Sequence, residues 1–198
     1  PSSGFHIEDI PMPLSEPAAR EHIHTRSVSC TGYRRSDGLW DIEGHLTDVK
    51  TYTFSNSERG DVLPGEPVHE MWIRLTVDDD LHIHDVEATT EFSPFGICKE
   101  IAPNFKRLIG VSIGPGWRRT VSQRLGGVEG CTHIVELLGP VATTAFQTIF
   151  PLKSKDSPEG PAASGRAPRL LNTCHAFRSD GPKVKELWPN HYDGPDAS

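Results

Sequence analysis

The sequence predicts an α+β fold, in which an antiparallel sheet of about four strands in the N-terminal half packs against helices in the C-terminal half. Two turn signals, Ser36-Asp37-Gly38 and Asp78-Asp79-Asp80, each separate two runs that are suited to strands. After Pro94 the apolar residues recur at helical spacing instead. A chain of 198 residues with this pattern is expected to fold as one domain.

The predicted elements follow one another in two blocks. Strands are expected at 23–35, 39–49, 67–77 and 81–92, and helices at 98–109, 117–125, 132–150 and 183–188. Gly139-Pro140 is expected to kink or break the third helix, because proline removes a backbone donor and clashes one turn back.

Three segments are expected to lie outside this compact region. The prolines in residues 1–20 predict an irregular N-terminal arm, and residues 153–168, dense in Ser, Pro, Gly and Ala, predict a flexible loop. The α+β domain is therefore expected at 21–152, followed by a C-terminal flap, helix and tail at 169–198.

The composition argues against several classes of function. Asp+Glu 27 against Lys+Arg 20 leaves a net charge of −7, so nucleic acid is not the expected partner. No apolar run approaches the roughly 20 residues of a membrane span, and the N-terminus lacks a signal-peptide pattern. A cytoplasmic protein without a membrane partner is expected, and its four separated cysteines are expected to be thiols.

Ten histidines are the unusual feature of the composition, and strand alternation begins to sort them. In strand 67–77, His69 shares a face with Met71, Ile73 and Leu75, so its side chain is expected to point toward the core or a pocket in it. His82 and His84 alternate with aliphatic residues beside an acidic turn and are expected to form a surface pair. His24, at the start of the first strand, is a candidate for a functional role.

The second strand has one apolar and one polar face. Its apolar face carries Trp40, Ile42 and Leu46, whereas Asp41, Glu43, His45 and Thr47 share the other face. Asp41 or Glu43 could orient His45 as a general base, because a carboxylate fixes the tautomer of an imidazole and raises its basicity. The alternative is a solvated face with cross-strand ion pairs.

Cys131 and His133 form the sharpest local feature, at the start of the predicted long helix. The positive end of the helix dipole favours the thiolate and the neutral imidazole, which are the nucleophilic, basic and metal-binding forms. The alternative is a small buried thiol beside a capping histidine. If His69, Cys98, Cys131 and His133 converge, two thiols and two imidazoles would resemble a tetrahedral zinc set.

Five sequence blocks carry a resemblance to a known family. They are REHIHTR (20–26), WDIEGHL (40–46), PVHEMW (67–72), GPGW (114–117) and GCTH (130–133). Together they resemble the bacterial DUF2889 family over residues 13–188. Members from aromatic-degrading bacteria look like a group linked to the catabolism of lignin-derived phenolic dimers, which implies a cofactor-independent γ-formaldehyde lyase.

The order of elements is also similar to the iron–sulfur scaffold proteins of the NifU/IscU type. That likeness implies a site where the start of a strand, the loop after the next strand and the N-terminus of a long helix meet. His69, the 94–98 loop, and Cys131 or His133 would occupy it. This chain has a histidine at position 69 where that scaffold has a cysteine, which counts against cluster assembly.

The expected activity is therefore a carbon–carbon lyase acting on a small aromatic substrate without a cofactor. His69 and His133 are the acid–base candidates, Arg35, Tyr33 or His45 would hold a phenolate, and Cys131 and His24 would contact the substrate. The expected walls of an apolar slot are Trp40, Trp72 and Trp117. A zinc-dependent enzyme or metal scaffold and a non-catalytic binding module are the alternatives, and a homo-oligomer is left open.

Overall fold

The computed structural model of the protein describes residues 13–156 and 170–195. Its main feature is a four-stranded antiparallel sheet, which confirms the predicted α+β class. The sheet has the order β1-β2-β5-β6, with strands β1 His24–Arg34, β2 Trp40–Lys50, β5 Pro67–Val77 and β6 Ile83–Phe92. Two short strands that the pattern did not predict, β3 Phe54–Asn56 and β4 Gly60–Val62, pair with each other in the connection between β2 and β5.

Both predicted turn signals join neighbouring strands of the sheet. In the first, the Arg35 N–H donates to the Leu39 carbonyl at 2.9 Å, and Gly38 has a φ of 88° that favours glycine. In the second, the Leu81 N–H donates to the Asp78 carbonyl at 3.0 Å. The first turn sets the register that places Asp48 opposite Arg26, and the pairing of β2 with β5 places it opposite His69.

The helices follow the sheet, with two differences from the prediction. The helix predicted at 98–109 has 3-10 geometry and spans Gly96–Leu108; it contains Pro103, which cannot donate a backbone hydrogen bond. The α-helices are α1 Trp117–Leu125, α2 Thr132–Asp156 and α3 Pro182–Leu187. No described helix has the length and apolar content needed to cross a bilayer.

Helix α2 does not break at Pro140 and is assigned without interruption through Asp156. Gly139 and Pro140 are exposed, so water can hydrogen-bond the carbonyl that the proline leaves without a partner. The predicted loop therefore cannot begin at Lys153. Its later residues, 157–168, lie outside the described residues, as do 1–12 of the predicted arm.

The core lies between one face of the sheet and the helices. Helix α2 buries Ile134, Leu137, Val141, Ala145 and Ile149 at three- and four-residue spacing. They pack on sheet residues that include Ile42, Leu46, Met71, Ile73 and Leu75. Full burial of each large aliphatic side chain contributes about 1.5–3 kcal/mol, so this interface holds the helix on the sheet.

Two glycines let α2 approach the strands closely. A Cβ atom at Gly44 would lie 2.7 Å from Val141 Cγ2, and one at Gly32 would lie 2.0 Å from Thr148 Oγ1. Only glycine fits at such distances. The close approach brings the first turn of α2, with His133, over the end of the sheet that carries Asp48 and His69.

Candidate active site

A buried carboxylate, that of Asp48, forms the centre of the candidate site. Its side chain is only 3% exposed, because it lies on the apolar face of β2, two residues after Leu46. The sheet register places Arg26 of β1 and His69 of β5 on either side of it. Because residues directly opposite each other in an antiparallel pair point to the same face, all three side chains meet on the helix side of the sheet.

Arg26 binds Asp48 through two parallel hydrogen bonds. Its Nε donates to Oδ1 and its Nη2 to Oδ2, both at 2.8 Å, while its Nη1 forms an ion pair with Glu136 of α2. Burial alone would raise the pKa of the Asp48 carboxyl, but the hydrogen bonds and charge of Arg26 outweigh it, so that pKa is lowered. Asp48 is therefore ionised at neutral pH.

Three histidines surround the same carboxylate. His24 Nε2 lies 3.1 Å from Oδ1, and His69 Nδ1 lies 3.1 Å from Oδ2. His133 comes from the first turn of α2, with its Nε2 3.9 Å from Oδ2. The rings of His69 and His133 stack with centroids 3.9 Å apart. The predicted convergence of these two histidines is therefore present.

Burial keeps both stacked imidazoles neutral at pH 7. It lowers the pKa of His69 to about 4, with the neighbouring His133 adding to the shift and Asp48 opposing it. The pKa of His133 is also lowered, first by burial and then by the charge of Arg26. Each ring can accept a proton at neutral pH, and the Asp48 carboxylate can stabilise the resulting imidazolium.

The same groups are the ones that could hold a metal ion. One ligand atom each from Asp48, His69 and His133 lies within 4.8 Å of the other two. The alternative set with two thiols is not assembled: Cys131 Sγ contacts His133 Nδ1 at 3.9 Å, and Cys98 lies in the 3-10 helix outside the group. All four cysteines are free thiols.

Residues 24–147, which contain every member of this site, match the model of a family described as "Protein of unknown function (DUF2889)". The chain belongs to the DUF2889 family. No curated protein and no solved structure matches it, so the likeness to NifU/IscU-type scaffolds stays a prediction.

Three predicted residues of this DUF2889 protein lie at the opposite end of the sheet from His69. Tyr33 is exposed, and Arg35 pairs with Asp37 and Asp41. Trp40 is buried opposite Val77, and its indole N–H donates to Asp79 at 2.8 Å. Their assignment to the same site as His69 is wrong. They lie at the turn between β1 and β2, whereas His69 pairs with Asp48 near the other end of β2.

His45 and Trp72 lie on the open face of the sheet, away from Asp48. Their rings stack 3.7 Å apart, and the carboxylate that contacts His45 Nε2 is Glu70, at 3.0 Å. The proposed partners of His45 were Asp41 and Glu43, but these accept hydrogen bonds from Thr76 and Arg74. The register explains the error, since Thr76 and Arg74 are the residues opposite them on β5.

The three tryptophans do not form one slot. Trp117 is buried in α1 and its indole N–H donates to the Leu138 carbonyl at 3.2 Å, while Trp72 is on the other sheet face.

His82 and His84 form the predicted surface pair, and both contact Asp78. Residues that were assigned to the site by residue type alone therefore lie far apart in the fold. The strand faces predicted by alternation are correct.

Sequence reasoning missed Asp48, Arg26 and Glu136. The signal for Asp48 was available: it continues the alternation of Trp40, Ile42 and Leu46 and so falls on the apolar face, where a carboxylate needs a partner. Arg26 could then be found two residues after His24 on the neighbouring strand. The contact of Glu136 with Arg26 depends on the docking of α2, which no local pattern specifies.

Proposed function

We propose that this DUF2889 protein is a cofactor-independent lyase, which cleaves a carbon–carbon bond of a lignin-derived phenolic dimer and releases formaldehyde. The observation that supports the reaction type is the pair of neutral imidazoles, His69 and His133, stacked beside the ionised carboxylate of Asp48. The substrate class rests on the family resemblance.

The reaction can proceed by proton transfer alone. The substrate carries a hydroxymethyl group on a carbon whose neighbour is a benzylic carbon that bears an oxygen substituent. A base takes the hydroxyl proton, the O–H electron pair forms the C=O bond of formaldehyde, and the C–C bond breaks. The released electron pair forms a C=C bond conjugated with the rings, while the benzylic oxygen leaves and takes up a proton. No electrons are gained or lost overall, so no redox cofactor is required.

His69 and His133 have the properties that this sequence of steps requires. Nδ1 of His69 faces Asp48, which leaves Nε2 for the substrate hydroxyl. The imidazolium that forms is acidic because its pKa is lowered, so it returns the proton readily to the leaving oxygen. One histidine can thus serve as base and then as acid, and the second ring lies beside it near the same carboxylate.

N–H donors for a developing phenolate would come from Arg26. Its guanidinium lies between Asp48 and Glu136, and its side chain is partly exposed. His24, also partly exposed, adds a ring on the solvent side of Asp48. These two residues replace Arg35 and Tyr33, which lie at the far end of the sheet, in the role of stabilising the phenolate.

The test is formaldehyde release by chelator-treated protein from a phenolic dimer with this hydroxyl and benzylic oxygen. We expect wild-type protein to form formaldehyde and the matching alkene in equal amounts, and His69→Gln and His133→Gln to lose about 100-fold in rate. His82→Gln is the matched control, since His82 lies on the surface beside Asp78. Absence of product from a panel of such dimers, or full activity in both site variants, would contradict the proposal.

A further inference from the structure

We propose that Asp48, His69 and His133 also bind a divalent transition-metal ion of the zinc class. The geometry that points to this site is the convergence of three residues, each offering one ligand atom within 4.8 Å of the other two. His69 Nδ1 lies 3.1 Å and His133 Nε2 lies 3.9 Å from Asp48 Oδ2. Three separate elements, β2, β5 and the first turn of α2, supply the ligands.

The chemistry of the donors selects the metal. Two imidazole nitrogens and one carboxylate oxygen suit zinc, cobalt, nickel or copper, whereas magnesium and calcium prefer oxygen ligands alone. Three protein ligands leave a fourth position for water, as in catalytic zinc sites. The two histidines retain partial exposure, at 19% and 24% of their side chains, so an ion can reach them from solvent.

Only small movements are needed to bind an ion. Tetrahedral ligands at about 2.0–2.1 Å from zinc lie about 3.3 Å from one another. His69 Nδ1 is already 3.1 Å from Asp48 Oδ2, and His133 Nε2, at 3.9 Å, has to approach by less than an ångström. His69 must also adopt the tautomer with its proton on Nε2, which frees the Nδ1 lone pair for the metal.

The surrounding side chains already hold the ligands in suitable orientations. Both oxygens of Asp48 accept hydrogen bonds from Arg26, which fixes the carboxylate with Oδ2 also facing His69 and His133, and His24 contacts Oδ1. Glu136 offsets the charge of Arg26, so the group is net negative before a cation binds. Nδ1 of His133 faces Cys131 Sγ, which leaves Nε2 directed at Asp48.

Binding does not depend on the proposed lyase reaction, but its consequence for activity does. A bound ion would hold His69 with its proton on Nε2, the nitrogen that has to be free of a proton to act as the base, and would occupy the Asp48 oxygen that faces His69. Zinc is therefore expected to inhibit formaldehyde release, and this expectation rests on the proposed function. The binding experiment below has a readout that is independent of any substrate.

The experiment uses chelator-treated full-length protein titrated with Co²⁺, followed by calorimetry and by the visible d–d bands of the bound ion. We expect a single tight site, displaced by Zn²⁺, and at least about a 10-fold loss of affinity in His69→Gln and in His133→Gln. Asp48→Asn serves as a third variant if its circular dichroism shows that it is folded. His82→Gln and His84→Gln are matched controls, because this surface pair shares Asp78.

Unchanged Co²⁺ affinity in the two site variants, or its loss in the surface variants, would overturn the metal site. No binding up to millimolar Co²⁺ would overturn it as well. A protein that binds Co²⁺ through these residues but forms no formaldehyde disproves the lyase alone. Formaldehyde release with no metal binding disproves the metal site alone, so the two failures are distinguishable.

Discussion

The imidazole rings of His69 and His133 stack with centroids 3.9 Å apart, although one lies on strand β5 and the other on helix α2. Their contact places two neutral imidazoles beside the ionised Asp48 carboxylate, which is buried under the first turn of α2. Since burial of a charged group is costly without partners, this end of the fold depends on the ion pair with Arg26.

Replacing Asp48 with asparagine is expected to lower formaldehyde release by about 100-fold, because His69 loses the carboxylate that orients it and stabilises its protonated form. The measurement is the initial rate in chelator-treated protein whose fold has been checked by circular dichroism. Asp41→Asn on the same strand is the control, since Asp41 contacts Thr76 and Arg35 instead. Equal rates in the two variants would contradict a role for Asp48.

Replacing Arg26 with lysine is expected to reduce the free energy of unfolding by about 1–3 kcal/mol, because lysine cannot form the two parallel hydrogen bonds to buried Asp48. Urea denaturation measures the change. Arg35→Lys breaks a similar pair, but Arg35 and Asp37 are exposed, and no measurable loss is expected there. A comparable loss in both variants would show that burial does not distinguish the two pairs.

Stability is expected to fall as the pH drops from about 6.5 to 4. The folded-state pKa of His69 is about 4 against an ordinary value of 6.5, so in this window the unfolded chain binds more protons. The groups that face His69 are His133, Asp48 and Arg26, and His133 shifts in the same direction. We expect a loss on the order of 1 kcal/mol from His69, after allowance for solvent screening.

Urea denaturation at pH 7 and at about pH 5 measures this loss, and His69→Asn should reduce it. His22→Asn is the control, because His22 is exposed and contacts only Thr25 among the partners described for its side chain. Stability that stays constant over the window in wild-type protein, or a loss of equal size in His69→Asn, would contradict the assignment.

The close docking of α2 is tested by a pair of glycine substitutions. Gly44→Ala places a Cβ atom 2.7 Å from Val141 Cγ2 and is expected to cost about 1–3 kcal/mol. Gly139→Ala meets nothing within 4 Å outside its chain neighbours, and the gain in helix propensity is opposed by the ring of Pro140, which disfavours a helical residue with a Cβ before it. A change of less than about 1 kcal/mol is therefore expected there. Thermal unfolding of both variants measures the difference, and an unchanged stability in Gly44→Ala would contradict the close packing of α2 on the sheet.

Much of the fold could be predicted from local patterns. Alternation located the four strands of the sheet and the inward direction of His69, because each strand buries one face only. The 3-10 geometry of Gly96–Leu108 and the continuity of α2 through Pro140 were not predictable in this way. Both features depend on which backbone N–H and C=O groups find hydrogen-bond partners in tertiary contacts or in water.

The site could be predicted only in part. His69 and His133 were identifiable because one falls on a core face and the other at a helix start. Arg35, Tyr33 and Trp40 were assigned by residue type, and nothing in a local pattern reveals that their end of the sheet lies far from His69. The pairing of Arg26 with Glu136 joins an edge strand to a helix distant in sequence, and only the docked fold brings them together.

The most direct test of the Asp48–His69–His133 cluster is an NMR titration of the histidine ring signals in metal-free protein. We predict that His69 remains neutral at pH 6 and titrates with a pKa of about 4, and that His133 also titrates below its ordinary value. A His69 ring that titrates at or above 6.5 would contradict the account, because a solvated or cationic imidazole at that position cannot be the buried neutral base beside Asp48.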